Sequence, residues 1–173
     1  MSTSDAGYSI GLIIVAFGSA GIICGGWLSD RLAARGASDA TLRVGIISAL
    51  GVAPLAVAIP LMSSAGSILI LYAPLIFFCS FGFGAAAAAI QLITPNEMRG
   101  QLSAVYLFVI NLVGIGLGPP LTGALTDWLF ADPQAVGLSI ALVAGIAAPT
   151  AALTLWWGLP AYRRQYAYIS DLS

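Results

Sequence analysis

Six arginines, seven carboxylates and two cysteines carry nearly all the reactive chemistry of this chain, which has no lysine and no histidine. The densest charged cluster is Asp30, Arg31 and Arg35. A carboxylate at the end of a helix opposes the helix dipole, and the two arginines offset it; equally, Asp30 can cap a short loop helix ending near Gly36. The plain reading of the cluster is a solvated, orientation-fixing loop. The sharper one is a gating loop whose charge-assisted bonds to a neighbouring helix form in one conformation only, biasing an equilibrium between two states. Without histidine there are no imidazole metal sites, no histidine-dependent triads and no histidine proton relays, so no metal, no cofactor and no enzymatic activity are expected. Cys24 and Cys79 lie within apolar runs, where they read as small buried hydrophobes. No Asp, Glu, Lys, Arg or His occupies the middle of an apolar run, the place where proton coupling normally uses one; Asp127 is the borderline case.

The elements that position these residues follow from composition. Of 173 residues, 60% are hydrophobic and 8% charged, and the mean hydropathy is +0.99. Soluble domains carry about 25% charge, so the chain is read as a membrane protein. A net charge of -1 with no basic run argues against nucleic acid as a partner. Five apolar runs approach the roughly 20 residues that a helix needs to cross hydrocarbon: 8–28, 42–62, 68–92, 102–130 and 136–159. These spans one to five lack the alternation of strands, and lipid admits only helices or closed barrels, so the expected fold is an all-α polytopic bundle of five transmembrane helices. Span one has no basic region before it and no convincing cleavage site, so it reads as a span and not a signal peptide. Arg31, Arg35 and Arg43 follow span one, Arg99 follows span three, and Arg163 and Arg164 follow span five. The positive-inside rule therefore puts those ends, and a tail over 160–173, in the cytoplasm of a cell (plasma or inner) membrane, with the amino terminus outside.

Helical projection gives the faces. Gly7, Gly11, Gly18, Gly21 and Gly25 fall on one side of span one, a face for close helix packing or for sliding. Asn111, Gly114, Gly118 and Thr122 share a stripe of span four, and Ser80, Gly84, Ala87 and Gln91 share one of span three. Polar side chains at membrane depth face the bundle, so Asn111, Ser80, Gln91 and Thr122 are candidate cavity-lining residues, and Gly114 and Gly118 join the candidate packing glycines. Tyr72 is a weaker candidate, since outer-end aromatics serve as interface anchors. Thr94-Pro95-Asn96-Glu97 reads as a capping box with Thr94 as N-cap, and Asp132-Pro133 as the start of span five.

Spans one and four both end in G-x-L-[ST]-D-x-L, at 26–32 and 123–129. The two ends face opposite sides of the membrane, as an inverted structural repeat requires. If span one answers to span four and span two to span five, span three has a counterpart that should precede span one. The expectation is a carboxyl-terminal piece of a longer protein, starting just before the second helix of a six-helix half.

The stretch Gly26-Trp27-Leu28-Ser29-Asp30-Arg31-Leu32-Ala33-Ala34-Arg35 resembles the cytoplasmic loop signature of the major facilitator superfamily, with Ala33 and Ala34 in place of the preferred Gly and Arg. The run from Thr94 to Asp127, including Gly116-Leu117-Gly118-Pro119, resembles the tenth-to-eleventh loop and eleventh helix, particularly of Spinster-like transporters. The resemblance implies a partial six-helix lobe, helices eight to twelve of twelve, in a secondary carrier that moves a small organic solute by alternating access, with the missing amino-terminal half and the lipid bilayer as partners. An alignment to helices two to six has the same topology, and Gly114-Ile115-Gly116-Leu117-Gly118-Pro119 is similar to the antiporter motif of the fifth helix. The reading from a different class is a small membrane structural or assembly subunit, complete as it stands, whose glycine face binds a partner helix.

Overall fold

The computed structural model describes residues 3–170, and among them there is no strand. Five helices are long and apolar enough to cross a membrane: α1 Gly7–Ala34, α2 Ala40–Leu61, α3 Ala65–Leu92, α4 Asn96–Phe130 and α5 Pro133–Ile169. The expected all-α bundle is thus present. Hydropathy marks where lipid is tolerated, whereas backbone hydrogen bonding continues into polar margins. So α4 starts at Asn96 and not near Leu102, and the last helix passes Leu159 to reach Ser170. The first two residues and the last three lie outside the described residues.

Helix ends follow local chemistry. Gly36 (φ 84) ends α1 in a Schellman turn: its N–H donates to Ala33, and the N–H of Ala37 donates to Leu32. Ser64 accepts the Ser67 N–H at 3.1 Å to open α3. Asp132 accepts the Gln134 N–H at 2.9 Å ahead of Pro133, as its sequence predicts. Thr94 departs from expectation. Its hydroxyl donates backward to the Ile90 carbonyl, the capping position falls on Pro95, and no side chain caps the turn at Asn96. The end of α3 competes for the same hydroxyl and wins it.

The bundle is organised around α2 and α3. α2 packs along α5 and α3, α1 packs along α3, and α4 touches α3 only near its start and α5 along its second half. In lipid, close packing and hydrogen bonds hold helices together because no hydrophobic gain is available between them. The contacts are accordingly made of small residues. A Cβ on Gly21 or Gly25 would run into the backbone carbonyls of Phe77 and Phe81, and one on Gly82 would meet the Ser48 side chain. Ser48 donates to the Phe78 carbonyl at 2.6 Å. Val44, Phe81 and Ala85 form the buried centre, with Leu28, Leu32 and Phe77 against it.

α4 is different. Its apolar stretch has no buried residue, and Leu107, Phe108, Leu112 and Ile115 are all exposed. Its attachment to α5 is polar: the hydroxyls of Thr126 and Ser139, both buried, hydrogen-bond at 2.8 Å. Replacing Ser139 with Ala leaves Thr126 with its Thr122 carbonyl. The expected cost is therefore small, about 0.5–1 kcal/mol, checked by unfolding in detergent micelles.

Two helices carry wider, π-helical turns, at Ile14–Gly18 in α1 and at Leu112–Leu117 and Leu125–Phe130 in α4. In α4 the cause is visible nearby. Pro119 and Pro120 supply no N–H, and Thr122 and Thr126 bond back to the Gly118 and Thr122 carbonyls at 3.0 and 2.9 Å.

Candidate functional site

At the arginine-bearing end, Asp39 opens α2. It is 1% exposed and accepts from two guanidiniums that are themselves about half exposed, at 45% for Arg43 and 49% for Arg163. Arg163 donates Nε and Nη2 to Oδ2 at 2.8 and 2.6 Å, and Arg43, one turn further along α2, donates Nε to Oδ1 at 2.9 Å. One residue before Arg163 on α5, the Tyr162 hydroxyl donates to the Ala89 carbonyl at 3.1 Å and accepts from Thr41 at 3.3 Å. The ends of α2, α3 and α5 are thereby fastened at one level.

Burial raises the Asp39 pKa, but the hydrogen bonds and charges of Arg163 and Arg43 outweigh it, so the carboxyl sits below its ordinary value of 3.8. The folded chain therefore favours the ionised form. That stability is complete above about pH 4 and is lost as pH falls through the depressed folded-state value. Thermal melts of wild type and Asp39→Asn should differ by a constant amount between pH 5 and 8, and the gap should narrow in acid.

Beside this node a cavity of about 370 Å³ is lined by Asp30, Thr41, Gln91, Arg99 and Tyr166 among others. The structure thus brings Asp30 and Gln91 together, with Arg99, which donates to the Thr94 carbonyl at 3.1 Å. Arg31 lies over the Trp27 ring at 5.1 Å from its centroid, a cation–π contact on the outer side of the bundle. Arg35 is exposed beyond the end of α1. The other candidates are dispersed. Ser80 lies in the α1–α3 contact against Gly18 and Gly21. Asn111 is exposed and donates to the Leu107 carbonyl at 2.7 Å. Thr122 lines a cavity of about 670 Å³ at the opposite end, between α4 and α5, with Gly114, Gly118 and Asp127. Gly18, Gly21 and Gly25 pack on α3, whereas a Cβ on Gly11, Gly114 or Gly118 would meet open space. Both cysteines are exposed in this chain.

The Asp39 node escapes sequence reasoning, which uses Arg43 and Arg163 only as markers of orientation. The available signal is a lone carboxylate in a short loop three residues past a helix-ending glycine, with an arginine one turn ahead.

Five apolar helices tied by small-residue contacts make this a multi-pass helical membrane protein. Over 168 residues, 95% of its length, the chain is 30% identical to an MFS-type efflux pump of Mycolicibacterium smegmatis, a major facilitator superfamily protein by name, and it spans 38% of that protein's length. No protein-family model matches, and no solved structure matches.

Proposed function

We propose that this chain is the greater part of the carboxyl-terminal lobe of a major facilitator transporter, a non-enzymatic secondary carrier that moves a small organic solute by alternating access. The observation that carries the reading is the bare face of α4. When α1 is laid on α4 and α2 on α5, the α1–α3 contact calls for an equivalent contact between α4 and a helix that precedes α1. That seat is open here. The likeness to the efflux pump supports the same reading, because it runs along nearly the whole chain and leaves most of that protein unmatched. In this proposal the missing lobe supplies the other wall of the solute path and any proton-coupling carboxylate, and the bilayer encloses both. The arginine-bearing end and the tail face the cytoplasm of the cell membrane. Asp30, Arg31 and Arg35 form the gating loop, and Gln91 and Thr122 mark the inner and outer cavities. The Spinster-like subgroup rests on the Thr94–Asp127 residues alone.

Alternating access is testable before the solute is known. In the full-length protein, with Cys24 and Cys79 replaced by Ala, Gln91→Cys and Thr122→Cys should react with an impermeant maleimide from opposite sides. Protection of one should accompany exposure of the other. Fixed accessibility at both positions argues instead for a structural subunit. Asp30→Ala with unchanged conformer populations would remove the gating role.

A further inference from the structure

The shared G-x-L-[ST]-D-x-L segments give α1 and α4 a common register. With Gly26 laid on Gly123, the π-helical segment Ile14–Gly18 falls on 111–115, overlapping the π-helical segment Leu112–Leu117. The repeat thus extends from sequence to an uncommon backbone form, since π-helical turns are rare and concentrate where helices do something besides pack.

A second observation comes from glycine. In an unbroken α-helix Gly7, Gly11, Gly18, Gly21 and Gly25 would form one face. Here Gly18, Gly21 and Gly25 sit against α3, while Gly7 and Gly11, on the far side of the π-helical segment, have nothing within 4 Å of a Cβ. One extra residue in a turn rotates what lies beyond it by about 100°. That rotation is enough to carry the outer glycines off the contact face. In α4 the stripe of Asn111, Gly114, Gly118 and Thr122 crosses the matching segment in the same way.

We propose that Ile14–Gly18 and Leu112–Leu117 are a matched pair of hinges that interconvert between π- and α-helical forms. Conversion to α-helix turns the outer end of α1 so that Gly7 and Gly11 come onto the α3 face; the reverse releases them. In α4 the half that carries Thr122 is tied to α5 through Thr126 and Ser139, so the same conversion turns the preceding half, with Asn111, against it. In each helix one half is held and the other rotates: the Gly21 and Gly25 contacts hold the inner half of α1, and the Thr126–Ser139 bond holds the outer half of α4. The inference deepens the carrier reading and rests on it for its purpose, although the hinge itself does not depend on transport.

The test is amide hydrogen exchange, read by mass spectrometry, on the full-length protein in lipid nanodiscs. Amides of 14–18 and 112–117 should exchange about tenfold faster than those of the neighbouring turns of the same helices. Gly11→Leu, which meets open space in this form, should leave the melting temperature unchanged and slow exchange at 14–18 by blocking the α-helical register. Deletion of Val15 should abolish fast exchange there by making that register permanent. Exchange at both segments as slow as in their flanks overturns the inference, as does fast exchange that Gly11→Leu leaves untouched. If exchange behaves as expected while the accessibility of Gln91→Cys and Thr122→Cys stays fixed, the hinge stands and the carrier reading falls.

Discussion

Gly25→Leu is expected to separate α1 from α3, with a loss of about 3 kcal/mol or more in an unfolding titration carried out in detergent micelles. Overpacking a tight contact costs about 1–3 kcal/mol when the obstacle is a side chain that can change rotamer. At Gly25 the obstacle is the Phe81 backbone, including its carbonyl, which yields only if the helix moves. Gly26, one residue on, meets open space, so Gly26→Leu should stay within about 0.5 kcal/mol of wild type. The pair is informative because the two substitutions change helix propensity and hydrophobicity alike and differ only in what the new side chain meets. Equal losses at the two positions would mean that α1 does not pack on α3 as described.

The second large effect is expected at Asp39. Removing one partner of a buried ion pair costs about 3–5 kcal/mol when the orphaned charge stays buried. Here the carboxylate is buried but both guanidiniums are about half exposed, so water takes over part of what is lost. Asp39→Ala should therefore cost about 2–3 kcal/mol. Two donor contacts reach Asp39 from Arg163 and one from Arg43. A double-mutant cycle with Arg163→Ala should accordingly show the larger coupling, and one with Arg43→Ala the smaller. Equal couplings, or a loss no larger than that of the exposed Asp30→Ala, would show that the node does not hold α5 to α2.

The contrast between these two sites shows what a sequence of this kind reveals. The five helices are legible because lipid imposes one crude requirement, apolar length, and the chain meets it five times. Their ends are less legible, since the helices run on where hydropathy has already changed, as at Asn96 and beyond Leu159. The glycine face of α1 follows from helical period alone. What it packs against does not, because Phe77 and Phe81 enter through tertiary structure. The period also hides the interruption at Ile14–Gly18, which is a change of hydrogen-bond register and leaves no mark in composition. Asp39 stayed hidden because its main partner, Arg163, lies at the far end of the chain, and a single carboxylate beside a glycine turn reads as solvated loop. Thr94 shows local grammar overruled: the capping box is present in the residues, but the α3 carbonyl takes the hydroxyl. Of the candidate site, Asp30 and Gln91 meet in one cavity, while Ser80, Asn111 and Thr122 are scattered by the packing.

The central claim is that the bare face of α4 seats a helix from the remainder of a two-lobed carrier. Its most direct test is the structure, in lipid nanodiscs, of the full-length protein. The account predicts a helix from the upstream sequence lying along Phe108, Leu112 and Ile115 of α4, with a second helical lobe facing α1 and α4 across a central path. An α4 that faces only lipid, or that packs against a second copy of this same chain, would contradict it.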